Sequence, residues 1–131
     1  MSLLTPELRA GLRAQADRQD DDPCPLVKLF SPISAATWLA TELDADGDTL
    51  FGLADLGFGC PELGSFSLAE IASVRLPFGL RIERDLLFAS VLPLSVWADW
   101  SRKAGSILHA EALLRRALAT GADVAHRFLP D

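Results

Sequence analysis

Short apolar segments alternate with turn residues across the middle of the chain, from Leu26 to Phe88, and this pattern predicts a β-rich core. Each segment has a proline, glycine or aspartate directly beside at least one of its ends, and these residue types end strands and form turns. The five predicted strands are 26–30, 37–43, 49–56, 62–66 and 80–88. The last of them is long enough to be broken near Asp85. An acidic turn separates the second stretch from the third, so these two strands are expected to form an antiparallel hairpin.

Alternation within this hairpin assigns side chains to the two faces of the sheet. Trp38 is expected to share a face with Glu42, and Phe51 to share a face with Asp55. Each strand would then carry a carboxylate beside an aromatic ring. Such a pair on a concave surface favours a pocket for a small ligand or a peptide.

Helix signals lie on both sides of this core. Thr5, followed by proline and glutamate, predicts the N-cap of a first helix, expected to pack as a flap on the main body. Ser67 and Glu70 have the spacing of a capping box. Beyond Leu94, apolar residues at helical spacing predict two more helices, the second capped by Ser106. The order predicts an α+β fold: a small, mainly antiparallel sheet flanked by an N-terminal helix and a C-terminal helical pair, with the helices packed on one face.

The length of 131 residues predicts a single domain in three parts. These are an N-terminal helix with an acidic loop (1–22), the β-rich core (26–92) and the C-terminal helices (94–121). Half of the residues are hydrophobic, which excludes a disordered chain. Neither a membrane-spanning stretch nor a signal peptide is recognisable, so we expect a cytoplasmic protein with two free thiols, Cys24 and Cys60. The net charge of −6 argues against binding nucleic acid through the main body.

Several blocks of this core occur in the same order in one bacterial family. They are Val27-Lys28-Leu29-Phe30, Trp38 through Glu42, Phe51-Gly52-Leu53, Glu62 through Glu70, and Gly79-Leu80 followed by Glu83-Arg84-Asp85. Over residues 26 to 95 the chain resembles the family called domain of unknown function 2958. The resemblance implies no established activity. It implies an association with plasmids and other mobile elements, near antirestriction and plasmid-maintenance genes.

The acidic turn offers a candidate cation site. Asp44, Asp46, Asp48 and Asp55 occupy positions 1, 3, 5 and 12 of a calcium-binding loop of the EF-hand type. Thr49 replaces the glycine required at position 6, and the flanking segments are predicted strands instead of helices. A divalent cation therefore remains one interpretation, and a simple hairpin turn built from aspartate and glycine is the favoured one.

A second set of candidates lies within or beside the predicted strands. Carboxylates brought together there would bind a metal ion or act as general acid and base, whereas separate ones would face water or pair with Lys28 and Arg84. The candidate ligand-binding residues are Lys28, Trp38, Glu42, Asp55, Glu62, Glu83 and Arg84. Cys60 has no histidine close in sequence to activate it, since His109 and His126 both lie in the C-terminal third.

These features favour a cytoplasmic accessory module that binds a protein partner or a small ligand. Two alternatives remain: a metal-dependent hydrolase that uses the strand carboxylates, and an acidic DNA mimic that inhibits restriction. No cofactor is expected, and a divalent cation stays open as an alternative. Two surfaces are candidates for a homodimer interface: the exposed edge of the sheet and the leucine face of the first helix.

Overall fold

A computed structural model describes residues 2–18 and 20–125, and it has the predicted α+β fold. The four helices are α1 (Pro6–Arg18), α2 (Leu68–Ser73), α3 (Leu94–Ala104) and α4 (Ile107–Ala119). The five strands are β1 (Val27–Phe30), β2 (Thr37–Leu43), β3 (Thr49–Asp55), β4 (Glu62–Ser67) and β5 (Glu83–Arg84). They form one antiparallel sheet in the order β4-β3-β2-β1-β5, so the predicted hairpin of β2 and β3 is confirmed.

Helix α1 is part of the main body, and the prediction that it forms a flap is wrong. The Thr5 hydroxyl accepts a hydrogen bond from the Leu8 N–H at 3.1 Å, as expected of an N-cap. Further along, Arg13 donates to the carbonyl of Leu43 at 2.9 Å, and the buried Gln15 amide donates to the carbonyl of Thr41 at 2.6 Å. Side chains of α1 therefore satisfy backbone acceptors along β2 and hold the helix against the sheet.

A β-bulge in β2 reverses one predicted face assignment. The pairing of β2 with β3 shifts register between Ala40 and Glu42, which leaves Thr41 as an extra residue. Leu43 consequently joins Trp38 in the core, and Glu42 points to the opposite face. The predicted pairing of Trp38 with Glu42 on one face is therefore wrong. Gly52 lies opposite this irregularity, where a Cβ atom would come within 1.8 Å of the Leu39 carbonyl oxygen, so no larger residue fits there.

Helices pack on both faces of the sheet, in contrast to the predicted one-sided arrangement. The first core lies under α1 and α2, where Leu12 and Ile71 meet strand residues such as Leu29 and Leu50. The second core lies under α3 and α4, where Trp97 and Ile107 belong to the same cluster as the strand residues Leu39 and Leu53. Both faces of the central strands are thereby buried, which explains why β2 contains almost no exposed residue.

The last strand is much shorter than its alternation suggests. Only Glu83 and Arg84 pair with β1, because the Asp85 carboxylate accepts a hydrogen bond from the Leu87 N–H at 2.9 Å and turns the chain. Just before β5, a tight turn presents Phe78 to solvent with φ of 64° and ψ of 23°. Its ring is 97% exposed, so no packing compensates for this left-handed backbone conformation.

Replacing Phe78 with asparagine is expected to raise the free energy of unfolding by about 1 kcal/mol, because asparagine tolerates the left-handed region and no burial is lost. Urea denaturation of the two proteins measures the difference. Phe58→Asn is the matched control, since Phe58 is also exposed but does not have a positive φ, and it should give no comparable gain. Equal effects at both positions would contradict the strain at Phe78.

Candidate functional site

The strand carboxylates predicted to form one site lie in separate places. Glu62 and Glu83 sit on opposite edge strands of the sheet. Glu42 pairs with Phe51, whereas Asp55 pairs with Thr37 at the other end of the same hairpin. Within residues 2–18 and 20–125, no group of three or more histidine, cysteine, aspartate or glutamate side chains is placed to hold a metal ion.

The aspartates of the β2–β3 turn bond to the chain around them. Asp46 accepts hydrogen bonds from the hydroxyl and the backbone N–H of Thr49 and from the N–H of Asp48, at 2.6, 2.8 and 2.8 Å. The Thr49 hydroxyl, followed by these N–H groups, lowers the pKa of Asp46. Asp48 reaches the start of α2, where it accepts from the Ser67 hydroxyl and the Ala69 N–H. Asp55 lies at the far end of β3, so the predicted four-aspartate calcium loop does not assemble.

Asp55 is a fully buried side chain that joins two elements of the fold. One carboxylate oxygen accepts from the Gly57 N–H and the other from the N–H of Ile107, the first residue of α4, both at 2.9 Å. A negatively charged carboxylate at the start of a helix is stabilised by the positive end of the helix dipole. Both oxygens are thus engaged in anchoring α4 to the sheet.

Three other predicted site residues, Trp38, Arg84 and Glu42, also lie in separate places. Trp38 is buried in the first core, and Arg84 donates to the backbone carbonyl of Leu3. Glu42 lines an open hollow of about 460 Å³ together with Asp44 and Phe51. A carboxylate does lie beside an aromatic ring there, with Phe51 as the neighbour of Glu42 instead of Trp38.

Lys28 has the most unusual environment among the predicted site residues. Its ammonium lies 2.6 Å from a carboxylate oxygen of Glu111 in α4 and 3.5 Å from one of Asp85, while the lysine side chain is only 9% exposed. The ring of Phe30 lies 5.8 Å from the same nitrogen. One buried cation therefore joins β1, the segment after β5, and α4.

These ion pairs border an apolar pocket, which we call the Trp97 pocket. It has a volume of about 390 Å³ and opens between segment 85–92 and helix α4. Its apolar lining includes Leu87, Phe88, Leu92, Trp97, Leu114 and Leu118, and its polar rim includes Asp85, Glu111 and Arg115. An apolar concave surface with a few polar groups at its border is the usual form of a binding site.

The wall of the Trp97 pocket is held by a chain of contacts. The indole N–H of Trp97 donates to the Ser90 hydroxyl at 2.9 Å, and that hydroxyl also bonds to both backbone groups of Leu92. The ring of Phe88 lies 6.0 Å from that of Trp97, in a tilted arrangement. These contacts connect segment 85–92 to α3 and define one wall of the pocket.

Large apolar side chains stand exposed at the mouth of the pocket. Leu87 is 93% exposed and Val91 is 84% exposed, and both line it. Leu118 of α4 is partly exposed on the opposite wall. This rim is an apolar surface beside an apolar cavity, which is the usual character of a contact surface for another molecule.

Thiol and imidazole groups contribute no comparable arrangement. Burial, followed by the negative charge of Asp22, raises the pKa of Cys24, so this thiol is poorly ionised at neutral pH. Cys60 and His109 are exposed, and both cysteines are free. The candidate His126 lies outside the described residues.

The sequence pattern indicates Lys28 as a candidate but does not indicate the groups around it. Glu111 lies 83 positions away from Lys28 and is not among the predicted site residues. One signal was present: Glu111 falls at helical spacing from Leu114 and Leu118, on the apolar side of α4. A carboxylate at such a position needs a buried cation, and Lys28 supplies it.

The fold and the pocket together define an α+β protein with an antiparallel sheet between two helical layers and an apolar pocket at one side. The chain belongs to the family described as protein of unknown function DUF2958, whose sequence model matches residues 3–108. The match is wider than the predicted resemblance, because it includes α1 and α3. It ends within the first turn of α4, so Glu111 and the α4 wall of the pocket lie beyond it.

No curated protein and no solved structure matches the chain. Among the described residues, none of the helices combines the length and the apolar character needed to cross a membrane.

Proposed function

We propose that this protein is a protein-binding accessory module whose Trp97 pocket receives an apolar side chain of a partner protein. The observation that carries the proposal is the near-complete exposure of Leu87 and Val91 at the mouth of that pocket. In the free protein these side chains contribute little to folding. Each one covered by a partner would contribute roughly 1.5–3 kcal/mol to the complex.

The fixed shape of the pocket supports the same function. Asp85 is held to β1 by its N–H, which donates to the Lys28 carbonyl at 2.9 Å, and by the Lys28 ammonium. The Ser90 hydroxyl fixes the other side of the loop. A partner would therefore lose little free energy to the ordering of this surface on binding.

A protein partner fits the pocket better than a small polar substrate. The carboxylates of Asp85 and Glu111 are already neutralised in part by Lys28, so they offer few free groups to orient a substrate. The apolar rim projects outward instead of enclosing a cavity. This combination of an apolar centre with a charged border is typical of protein interfaces.

The two other functions considered from the sequence receive less support. A hydrolase would need its carboxylates close together, and Glu42, Asp55, Glu62 and Glu83 are spread over the sheet. A DNA mimic would need a long acidic surface, whereas Asp46, Asp48 and Asp55 are each engaged in bonds of the fold. We therefore propose that the module acts in the cytoplasm on a protein encoded near it on mobile elements.

The proposal is tested by placing a photo-crosslinking amino acid at position 87 in place of Leu87 in the native host. Irradiation is expected to give one discrete crosslinked product, identified by mass spectrometry. Adding Ala89→Trp should reduce its yield at least about tenfold, because Ala89 is exposed on the pocket lining and an indole would fill the mouth.

The matched control carries the crosslinker at position 33 in place of Ile33, which is half exposed and does not line the pocket. It should not give the product seen from position 87. Thermal unfolding of the Ala89→Trp variant verifies that it folds. The same product from both positions, or a yield that Ala89→Trp leaves unchanged, would refute the proposed docking surface.

A further inference from the structure

Strand β4 has one side without a partner in the sheet. It lies at the end of the strand order and, within residues 2–18 and 20–125, pairs only with β3. The Leu68 N–H donates to the Asp48 carbonyl at 3.0 Å, so residues 48 and 68 form a hydrogen-bonded pair that continues the β3–β4 pairing. Because hydrogen-bonded pairs alternate in an antiparallel ladder, residues 62, 64 and 66 bond to β3. The backbone groups of Leu63 and Ser65 and the N–H of Ser67 therefore point away from the sheet.

This free edge lacks the features that usually prevent strand pairing. Residues 63–67 contain no charged residue and no proline, and their pairing with β3 has no bulge. The edge at β5, by comparison, is only two residues long. Leu63 on β4 and Phe51 on the neighbouring strand are both exposed large hydrophobic residues beside the free edge. A strand of this kind favours pairing with another strand.

We propose that the edge of β4 pairs with β4 of a second copy of this chain, antiparallel, about a two-fold axis through Ser65. In this register Phe66 of each copy lies opposite Gly64 of the other. A Cβ atom built on Gly64 would meet no atom within 4 Å, so there is open space for the ring. An aromatic residue that covers an edge glycine is a known device for stabilising sheets.

The charges and the neighbouring registers favour this axis. With the axis at Ser65, the two Glu62 side chains lie at opposite ends of the paired segment. Moving the axis by one residue, to Gly64, would place glycine opposite glycine and set Glu62 against Phe66. The pairing about Ser65 thus matches a large side chain with a small one twice and opposes no like charges.

The other dimer surface considered from the sequence is occupied. Leu12 of α1 and Leu4 just before it are buried in the first core, and Leu8 packs against that core. The leucine face of α1 therefore has no free apolar surface for a second copy. The β4 edge also lies across the sheet from β1 and β5, beside which the Trp97 pocket lies, so the dimer and the proposed function are independent.

The oligomeric state of the purified full chain tests the proposal. Light scattering and sedimentation from micromolar to near-millimolar concentration are expected to show a reversible approach to twice the chain mass. Leu63→Lys should raise the dimer dissociation constant at least about tenfold, because it puts an ammonium group on the pairing edge. Leu86→Lys makes the same change at an exposed leucine away from β4 and should leave the constant unchanged.

Cysteine crosslinking tests the register, in a background with Cys24→Ser and Cys60→Ser. Ser65→Cys places the two thiols opposite each other at the axis, within the range for a disulfide, and should give dimers on oxidation. Glu62→Cys, also exposed, should not, because residues 62 of the two copies lie far apart along the strands. A monomer at all concentrations would overturn the proposal. The proposal would also be overturned by a dimer that stays intact in the Leu63→Lys variant and gives no crosslink in the Ser65→Cys variant.

Discussion

Replacing Asp55 with alanine is expected to lower the free energy of unfolding by about 3 kcal/mol. The Asp55 side chain is fully buried, and each of its oxygens accepts a backbone hydrogen bond, from Gly57 and from Ile107. Alanine would leave the buried N–H at the start of α4 without an acceptor, and it would remove the negative charge from that helix end. Urea denaturation, with circular dichroism as the signal, measures the loss.

Two further variants separate this structural role from a role in ligand binding. Asp55→Asn keeps one acceptor oxygen and should cost less than Asp55→Ala, about 1–2 kcal/mol. Asp44→Ala removes an exposed turn carboxylate that accepts from the Ala45 N–H, and it should cost less than about 1 kcal/mol. If Asp55→Ala and Asp44→Ala had equal small effects, the anchoring of α4 by Asp55 would be contradicted.

Local sequence signals predicted most of the elements, because the residues that set their limits are neighbours in the chain. The alternation from Thr37 to Leu43 and the acidic turn after it fixed the limits of β2. Ser67 and Ser106 cap α2 and α4 as expected, each accepting from the N–H three residues ahead. Gly105 has the left-handed conformation that ends α3.

Features that depend on distant residues could not be predicted in this way. The bulge at Thr41 depends on Gln15, whose amide bonds to the Thr41 carbonyl, and on Gly52, which gives the backbone room. One extra residue moved Glu42 to the other face and removed it from the neighbourhood of Trp38. No pattern of hydrophobic residues within β2 contains this information.

The candidate site shows the same limit. Isolated strand carboxylates can be listed from the sequence, but their separation depends on strand order, which places Glu62 and Glu83 on opposite edges. The partnership of Lys28 with Glu111 joins the first strand to the last helix. Each of these residues alone resembles an ordinary surface charge, and only their burial together distinguishes them.

Replacing Lys28 with methionine is expected to lower the free energy of unfolding by about 2–3 kcal/mol, because it removes the cation of a buried ion pair. Glu111 and Asp85 would lose their shared cation while staying partly buried, with side-chain exposures of 16% and 29%. Most of this cost comes from leaving two partly buried carboxylates without a counter-charge. The lost attraction itself contributes less, because forming a buried ion pair already costs the hydration of both charges. Glu111→Leu alone should cost less, about 1–2 kcal/mol, because Lys28 keeps Asp85 at 3.5 Å.

The double variant Lys28→Met with Glu111→Leu is the decisive measurement. Both charges of the closest pair are then removed, and the apolar replacements can pack beside Leu114 and Trp97. We expect a stability within about 1 kcal/mol of the unmodified protein, so that the double-mutant cycle gives a coupling energy above about 1 kcal/mol. Urea unfolding of all four proteins supplies the values.

The exposed pair of Asp99 and Arg102 provides the matched cycle. These groups lie 3.9 Å apart with about half of each side chain in solvent, so Arg102→Met and Asp99→Leu should show almost no coupling. Additive losses at Lys28 and Glu111 would mean that the buried cation does not hold the wall of the Trp97 pocket. Strong coupling there and none at the surface pair would instead identify burial as the origin of the effect, because the two pairs share the same charge types.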